Sequence, residues 1–123
     1  MNTGINDELR DRVFDNAAEL FAVLAAPCRI RIVCELCRSE RNVGELLMVV
    51  GGSQPNLSHH LRALFQAGVV SRRRDGAKVY YRLAQQRVEA LCEIFQGLGV
   101  AERAADVAGA EAQAGLLEPK EWL

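Results

Sequence analysis

The chain has 123 residues, of which half are hydrophobic, and its 15 Lys and Arg are balanced by 16 Asp and Glu. This length allows one domain with a modest core and excludes two independent domains. No apolar stretch reaches membrane-spanning length, and the N-terminal segment lacks the basic and then apolar profile of a secretory signal. We therefore expect a cytoplasmic protein with no membrane partner.

Three helices are predicted in the first half of the chain. Apolar residues recur at helical spacing from Leu9 to Leu24, after a stretch from Met1 to Asn6 that we expect to fray. A second helix is expected to begin at Pro27, because proline is favoured in the first turn of a helix. Asn42 and Glu45 have the spacing of a capping box, which predicts a third, short helix.

The next helix has the features of a DNA recognition helix. Ser53 can cap it, while Leu57, Leu61 and Leu64 recur at helical spacing and predict one buried face. Its early, outward part carries donors and acceptors suited to base edges and phosphates in a major groove. These side chains are Gln54, Asn56, Ser58 and His59. An ordinary amphipathic surface helix has the same spacing, so the segments that follow decide between the two interpretations.

A basic β-hairpin, or wing, is predicted after this helix. Gly68 can end the helix, and Asp75-Gly76 is a two-residue turn signal between two extended runs. Val79, Tyr81 and Leu83 alternate on one face of the second run. Cations near the tip can reach a phosphate backbone, and they include Arg72, Arg74 and Lys78.

Positive charge is concentrated on this helix and hairpin. Residues 53–87 carry seven Lys or Arg and one acid, a net charge of +6, so the rest of a chain of net charge −1 carries −7. A near-neutral protein with its cations on one unit has the electrostatic footprint of a nucleic-acid binder. The charge distribution therefore favours DNA binding over a plain solvated face.

A last helix is predicted from Gln85 to Leu98. Its apolar stripe consists of Val88, Leu91, Cys92, Phe95 and Leu98. We expect the N- and C-terminal helices to form a homodimer, because an exposed stripe of this length is otherwise an aggregation liability. The alternative is that the stripe packs back on its own domain. We assign residues 1–100 to one DNA-binding and dimerisation domain, followed by an Ala- and Glu-rich tail, 101–123, that is partly helical or disordered.

Residues 20 to 83 resemble the ArsR/SmtB family of winged helix-turn-helix repressors. The resemblance lies in Leu24-Ala25-Ala26-Pro27-Cys28-Arg29-Ile30-Arg31-Ile32, in Val43-Gly44-Glu45-Leu46, in the recognition run 53–64 and in 76–83. It implies a mainly α fold with a two-stranded β-wing, and a homodimer that occupies an inverted-repeat operator and leaves it when an inducer acts. The candidate DNA-binding residues are Ser53, Gln54, Asn56, Ser58, His59, His60, Arg62, Arg72, Arg73, Arg74 and Lys78.

The chain departs from the family at both of its usual metal sites. Asn42-Val43-Gly44 stands where arsenic and cadmium sensors carry Cys-Val-Cys, and residues 85–99 lack the His and Asp pairs of zinc and nickel sensors. His59 and His60 are the only histidines and point about 100° apart on a helix, so they cannot chelate one ion together. We predict no metal at those sites and no cofactor.

The run from Ile32 to Leu36 instead resembles the thiol-switch branch of the family, typified by BigR, SqrR and HlyU. In that branch a second-helix cysteine pairs with one near the end of the last helix. Cys34 matches the first position. The second falls near Val100, whereas the only late cysteine of this chain is Cys92, two helical turns earlier.

The four cysteines are expected to be reduced thiols, because the chain lacks an export signal. Cys34 and Cys37 share a helix face and, with Cys92 or Cys28, are candidate ligands of arsenite or another soft metal. Cys28 lies in a first helical turn followed by two arginines, which predicts a lowered thiol pKa. Buried cysteines that act only as small hydrophobes remain the alternative for each position.

The sequence thus predicts a homodimeric repressor that is released from operator DNA when a reactive sulfur species or oxidant modifies its sensing cysteines. A soft-metal-responsive repressor is one alternative, and a constitutive DNA-binding or protein-interaction module with inert cysteines is another. An enzyme is not expected, because no nucleophile-base pair, phosphate-binding glycine loop or metal-ligand cluster is visible.

Overall fold

A computed structural model of the chain describes residues 3–100, 102–103 and 106. The described part consists of five helices and one small antiparallel sheet. The elements are α1 (Thr3–Leu24), α2 (Pro27–Arg38), β1 (Arg41–Asn42), α3 (Val43–Val50), α4 (Gln54–Gln66), β2 (Val70–Asp75), β3 (Lys78–Leu83) and α5 (Gln85–Leu98). The predicted tail, 101–123, lies almost wholly outside the described residues.

Local capping signals set the starts of three helices. Pro27 opens α2, where its missing N–H breaks no hydrogen bond. Asn42 Oδ1 accepts from the Glu45 amide at 2.8 Å, and Glu45 Oε1 accepts from the Asn42 amide at 3.0 Å. Ser53 Oγ accepts from the Asn56 amide at 3.2 Å at the start of α4. The predicted caps and the predicted bounds of α5 are confirmed.

The wing belongs to a three-stranded sheet of order β1-β3-β2. The predicted two-stranded wing is confirmed as β2 and β3, and β1 adds a two-residue edge to the same sheet, in which Arg41 pairs with Tyr81. Asp75 pairs with Lys78, so the hairpin loop consists of Gly76 and Ala77, one residue later than predicted. Gly76 has a φ of 63°, a conformation that glycine adopts without steric cost.

The core lies between α2, α3, α4 and the inner face of the sheet, and α5 covers one side. Ile32 and Val33 of α2 are fully buried against the three leucines of α4. Leu91 and Phe95 of α5 are also buried, so the last helix does pack on its own domain through these two residues. The packing of α2 against α4 fixes where α4 lies.

Apolar side chains remain exposed on α1 and α5. Leu9, Val13, Phe14 and Phe21 are each more than half exposed on α1, and Leu98 is 53% exposed on α5. Helix α1 begins at Thr3, so the predicted fraying to Asn6 is wrong from that residue onward. Within the described residues, no helix combines the length and apolar character needed to cross a membrane.

Candidate nucleic-acid interface and thiol pair

Helix α4 presents a polar row to solvent. Its buried stripe, Leu57, Leu61 and Leu64, has at most 1% exposure, so the opposite side of the helix must face outward. The exposed polar side chains are Gln54, Asn56, His59 and Arg62, and Ser58 is half-buried. The Ser53 hydroxyl is already engaged by the helix cap. The row can donate to and accept from base edges and phosphates.

His60 faces inward, toward α2. Arg29 Nε donates to His60 Nδ1 at 3.0 Å, and another guanidinium nitrogen of Arg29 donates to the Val23 carbonyl at 3.1 Å. Burial lowers the pKa of His60, and the charges of Arg29 and His59 lower it further. A neutral ring whose Nδ1 accepts from Arg29 links α4 to α2 and α1. This geometry separates His60 from the outward row that the sequence assigned it to.

The wing arginines differ in what they contact. The Arg72 guanidinium lies over the Phe65 ring at 4.1 Å, and Arg73 forms a two-point ion pair with Glu40. Among the described residues, the side chains of Arg74 and Lys78 have no hydrogen bond or ion pair, and both are exposed near the hairpin tip. Both cations are therefore available to a polyanion.

A cavity of about 240 Å³ lies between the start of α2 and the turn into α4. Cys28, Asn56 and His60 contribute to its wall. Burial raises the pKa of the Cys28 thiol, and Arg31 and Arg29 only oppose that effect. The prediction of a lowered pKa at Cys28 is thus wrong, because desolvation outweighs the nearby charges.

A second cavity, of about 170 Å³, lies between α2 and α5 and is lined by three thiols, Cys34, Cys37 and Cys92. Cys37 and Cys92 interact across this cavity. Burial and then Cys92 raise the pKa of Cys37, and burial raises that of Cys34, with Glu35 adding to it. We call Cys37 and Cys92 the thiol pair.

The thiol pair differs from the pairing that the family resemblance implies. Cys34 matches the family position, yet Cys92 acts more strongly on the pKa of Cys37, one helical turn later, than on that of Cys34. All four cysteines are free thiols of intermediate burial, and none of them is in a disulfide. No group of three or more Cys, His, Asp or Glu in the described ranges is arranged to hold a metal ion.

The polar helix, the basic hairpin and the three packed helices define a winged helix-turn-helix protein. A family model described as bacterial regulatory protein, arsR family, matches residues 26–72. The HTH-type transcriptional repressor SmtB of Mycobacterium tuberculosis is 46% identical over 76 residues, which are 62% of this chain and 56% of that protein. The chain thus spans little more than half of that relative.

Other relatives are covered over more of their length. The biofilm growth-associated repressor of Agrobacterium fabrum is 40% identical over 63% of this chain and 70% of its own length. Reduced HlyU from Vibrio cholerae superimposes with a TM-score of 0.68 at 32% identity, over 74% of this chain and 96% of that one. A domain of a possible ArsR-family regulator from Mycobacterium bovis, described as a homodimeric winged helix-turn-helix DNA-binding domain, gives a TM-score of 0.64 at 30% identity, over 73% and 83%. The chain belongs to the ArsR family of bacterial regulatory proteins.

Proposed function

We propose that the chain is a homodimeric, cytoplasmic transcriptional repressor that binds an inverted-repeat operator and is released by chemistry at the thiol pair. One observation carries the DNA-binding part. The exposed row of α4 and the two unpaired tip cations, Arg74 and Lys78, belong to one unit that is fixed by the buried leucines of α4. Family membership supports the same conclusion.

A titration of the DNA upstream of the chain's own coding sequence tests this proposal. Replacing Asn56 by Ala should weaken binding to the footprinted site more than to a duplex of mixed sequence, because base contacts carry specificity. Replacing Arg74 by Ala should weaken binding to both and flatten the salt dependence. Arg12→Ala is the matched control, because this arginine is exposed on α1, outside the helix and hairpin proposed to bind DNA. Equal effects of Arg74→Ala and Arg12→Ala would contradict a DNA-binding wing.

Dimerisation is supported by the exposed apolar stripe of α1 and by the homodimeric state of the M. bovis neighbour. A two-fold dimer would present two copies of α4 about 34 Å apart, one turn of DNA. Phe14→Glu should shift the mass measured by light scattering toward a monomer, because a charge cannot be buried at an apolar interface without cost. Met48→Glu is the matched control, since Met48 is an apolar residue 88% exposed on α3. A dimer that survives Phe14→Glu contradicts this use of α1.

Thiol-based release is supported by the contact between Cys37 and Cys92. A disulfide would form when an oxidant, such as a peroxide or polysulfide, accepts the two electrons and the two thiol protons leave. The raised pKa of Cys37 keeps it protonated at neutral pH, so attack on the oxidant should be slow. The second step, in which the other thiol attacks the oxidised sulfur and closes the disulfide, should be fast, because the two thiols lie beside each other.

The release experiment compares oxidants with soft ions. Polysulfide, peroxide, arsenite and mercuric ion are added separately to the protein-operator complex, and each sample is analysed by intact mass. Release accompanied by loss of two hydrogens supports the disulfide, and release by an ion without that loss supports a soft-metal sensor. If no agent releases DNA while Cys37 and Cys92 are shown to react, the cysteines are inert to regulation and the chain is a constitutive DNA-binding module.

A further inference from the structure

Glu40 holds Arg73 through two bonds that join the wing to the body of the domain. Arg73 Nε donates to one carboxylate oxygen of Glu40 at 3.0 Å, and a terminal nitrogen donates to the other oxygen at 2.6 Å. Glu40 lies between α2 and β1, outside the hairpin itself. A planar guanidinium bound to both oxygens of a carboxylate is the strongest and most directional of the common ion-pair geometries.

Two further contacts of Arg73 orient it in the same way. Its guanidinium lies 4.6 Å from the centre of the Tyr80 ring, and a terminal nitrogen lies 3.9 Å from Asp75. The hydrogen bonds that Arg73 donates to Glu40 raise the pKa of Arg73, and the same bonds lower the pKa of Glu40. Both groups are therefore charged at neutral pH, and their charges cancel locally.

The strand register turns Arg73 away from the recognition helix. Side chains alternate along β2, so Arg72 and Arg74 lie on one face and Arg73 on the other. The face of Arg72 is the one that meets α4, because Arg72 covers Phe65 at the end of that helix. Arg74 therefore points to the same side as α4, whereas Arg73 points to the side of Glu40. Lys78 pairs with Asp75 and lies on the face of Arg73, but it is at the hairpin tip and its side chain has no carboxylate partner among the described residues.

We propose that Glu40 is a positioning residue of the wing, which withholds Arg73 from DNA. Arg74, on the face toward α4, and Lys78, at the hairpin tip, remain as the wing cations that meet phosphate. This inference rests on the proposed DNA-binding function and specifies which wing residues serve it. The bidentate bond ties β2 to the α2–β1 connection, so the same pair also fixes the direction of the hairpin. A phosphate that recruits Arg73 must compete with a carboxylate that already binds the guanidinium at two points and neutralises its charge.

The salt dependence of binding distinguishes positioning from contact. Each phosphate contact adds about 0.9 to the slope of log K against log salt concentration, which is about a 3-fold larger loss of affinity between about 50 and 200 mM KCl. A purely structural role changes affinity without changing this slope. Fluorescence anisotropy with a labelled duplex of mixed sequence measures the slope for each variant.

Arg74→Ala should reduce the slope by about 0.9 per protomer, whereas Arg73→Ala should leave it at the wild-type value. Glu40→Gln preserves shape and removes the charge, so it should release Arg73 and steepen the slope by about 0.9. Adding Arg73→Ala to Glu40→Gln should restore the wild-type slope. Glu40→Asp, which keeps the charge, should remain closer to wild type than Glu40→Gln.

The proposal is overturned if Arg73→Ala flattens the slope as much as Arg74→Ala while Glu40→Gln leaves it unchanged. That result would mean that Arg73 already contacts phosphate. A slope that no wing variant alters, Arg74→Ala included, would instead remove the whole wing from the interface and overturn the proposed function with it. Circular dichroism melting of each variant confirms that the compared proteins are folded.

Discussion

Oxidation of the reduced chain with diamide should join Cys37 to Cys92 and stabilise the folded state. Diamide accepts two electrons and two protons as the disulfide forms. The new bond closes a loop of about 55 residues, for which the chain-entropy model gives a stabilisation of about 4 kcal/mol. This value is an upper figure, because strain introduced into the folded state subtracts from it.

Urea unfolding measures this stabilisation. A denaturant slope of about 2 kcal/mol per molar predicts a rise of about 2 M in the midpoint on oxidation. The reduced and oxidised proteins must be compared at one protein concentration, because the stability of a dimer depends on it. Intact mass and peptide mapping identify the linked cysteines in the same samples.

Single-cysteine variants identify which thiol is linked to Cys92 on oxidation. Cys34→Ser should keep the oxidation-induced rise, since Cys92 interacts more strongly with Cys37 than with Cys34. Cys37→Ser and Cys92→Ser should each abolish it, and Cys28→Ser is the matched control on the distant cavity. A rise that survives Cys37→Ser, or a mapped link between Cys34 and Cys92, would refute the assignment of the thiol pair.

Three further outcomes follow from the packing and the caps. Leu61→Ala should lower the free energy of unfolding by about 2 to 5 kcal/mol in a chemical melt, because Leu61 is 1% exposed on the buried side of α4. A loss below about 1 kcal/mol would contradict that burial. Asn42→Ala should lower it by about 1 kcal/mol, because the Glu45 amide loses its acceptor, whereas the exposed Asn16→Ala should change it little. The lowered pKa of His60 means that the unfolded chain binds the proton more tightly, so stability should fall as pH drops below about 6.5 and through the folded pKa. His60→Gln keeps an acceptor for Arg29 and does not titrate, so a pH dependence that is unchanged in this variant would exclude His60 as its source.

Local chemistry explains which elements could be predicted from the sequence. Caps such as Ser53 and the pair Asn42–Glu45 act within one helical turn, so they mark helix starts in the sequence as they do in the structure. The two-residue strand β1 is too short to show alternation, and it forms only because β3 lies beside it. The sequence does not predict β1, because the strand depends on a tertiary contact with β3 and not on a local pattern.

The site was predictable where it depends on one element and not where it joins two. The outward row of α4 follows from helical spacing alone. The contact between the Cys37 and Cys92 thiols depends instead on how α2 crosses α5. No sequence signal indicated that Cys37, and not Cys34, would be the partner of Cys92. The Glu40–Arg73 pair spans 33 residues, and the sequence places Arg73 with the DNA-binding candidates because nothing local to the hairpin indicates its carboxylate partner.

Helix α2 is the element through which the thiol pair and the DNA-binding surface can affect each other. Its first turn binds His60 of α4 through Arg29, its last turn carries Cys37, and Glu40 follows three residues later. A disulfide changes DNA affinity only if the linked conformation binds DNA differently from the alternative one.

Such a coupling must be reciprocal. If oxidation weakens operator binding 5- to 150-fold, operator DNA must favour the reduced thiols by the same factor, about 1 to 3 kcal/mol. For a two-electron couple this is a rise of about 20 to 65 mV in the reduction potential of the thiol pair on binding operator. Equilibration with a glutathione redox buffer, with and without operator, measures the difference by intact mass. Equal potentials in the two samples would show that the pair and the DNA surface are uncoupled, even if oxidised protein is found free of DNA for another reason.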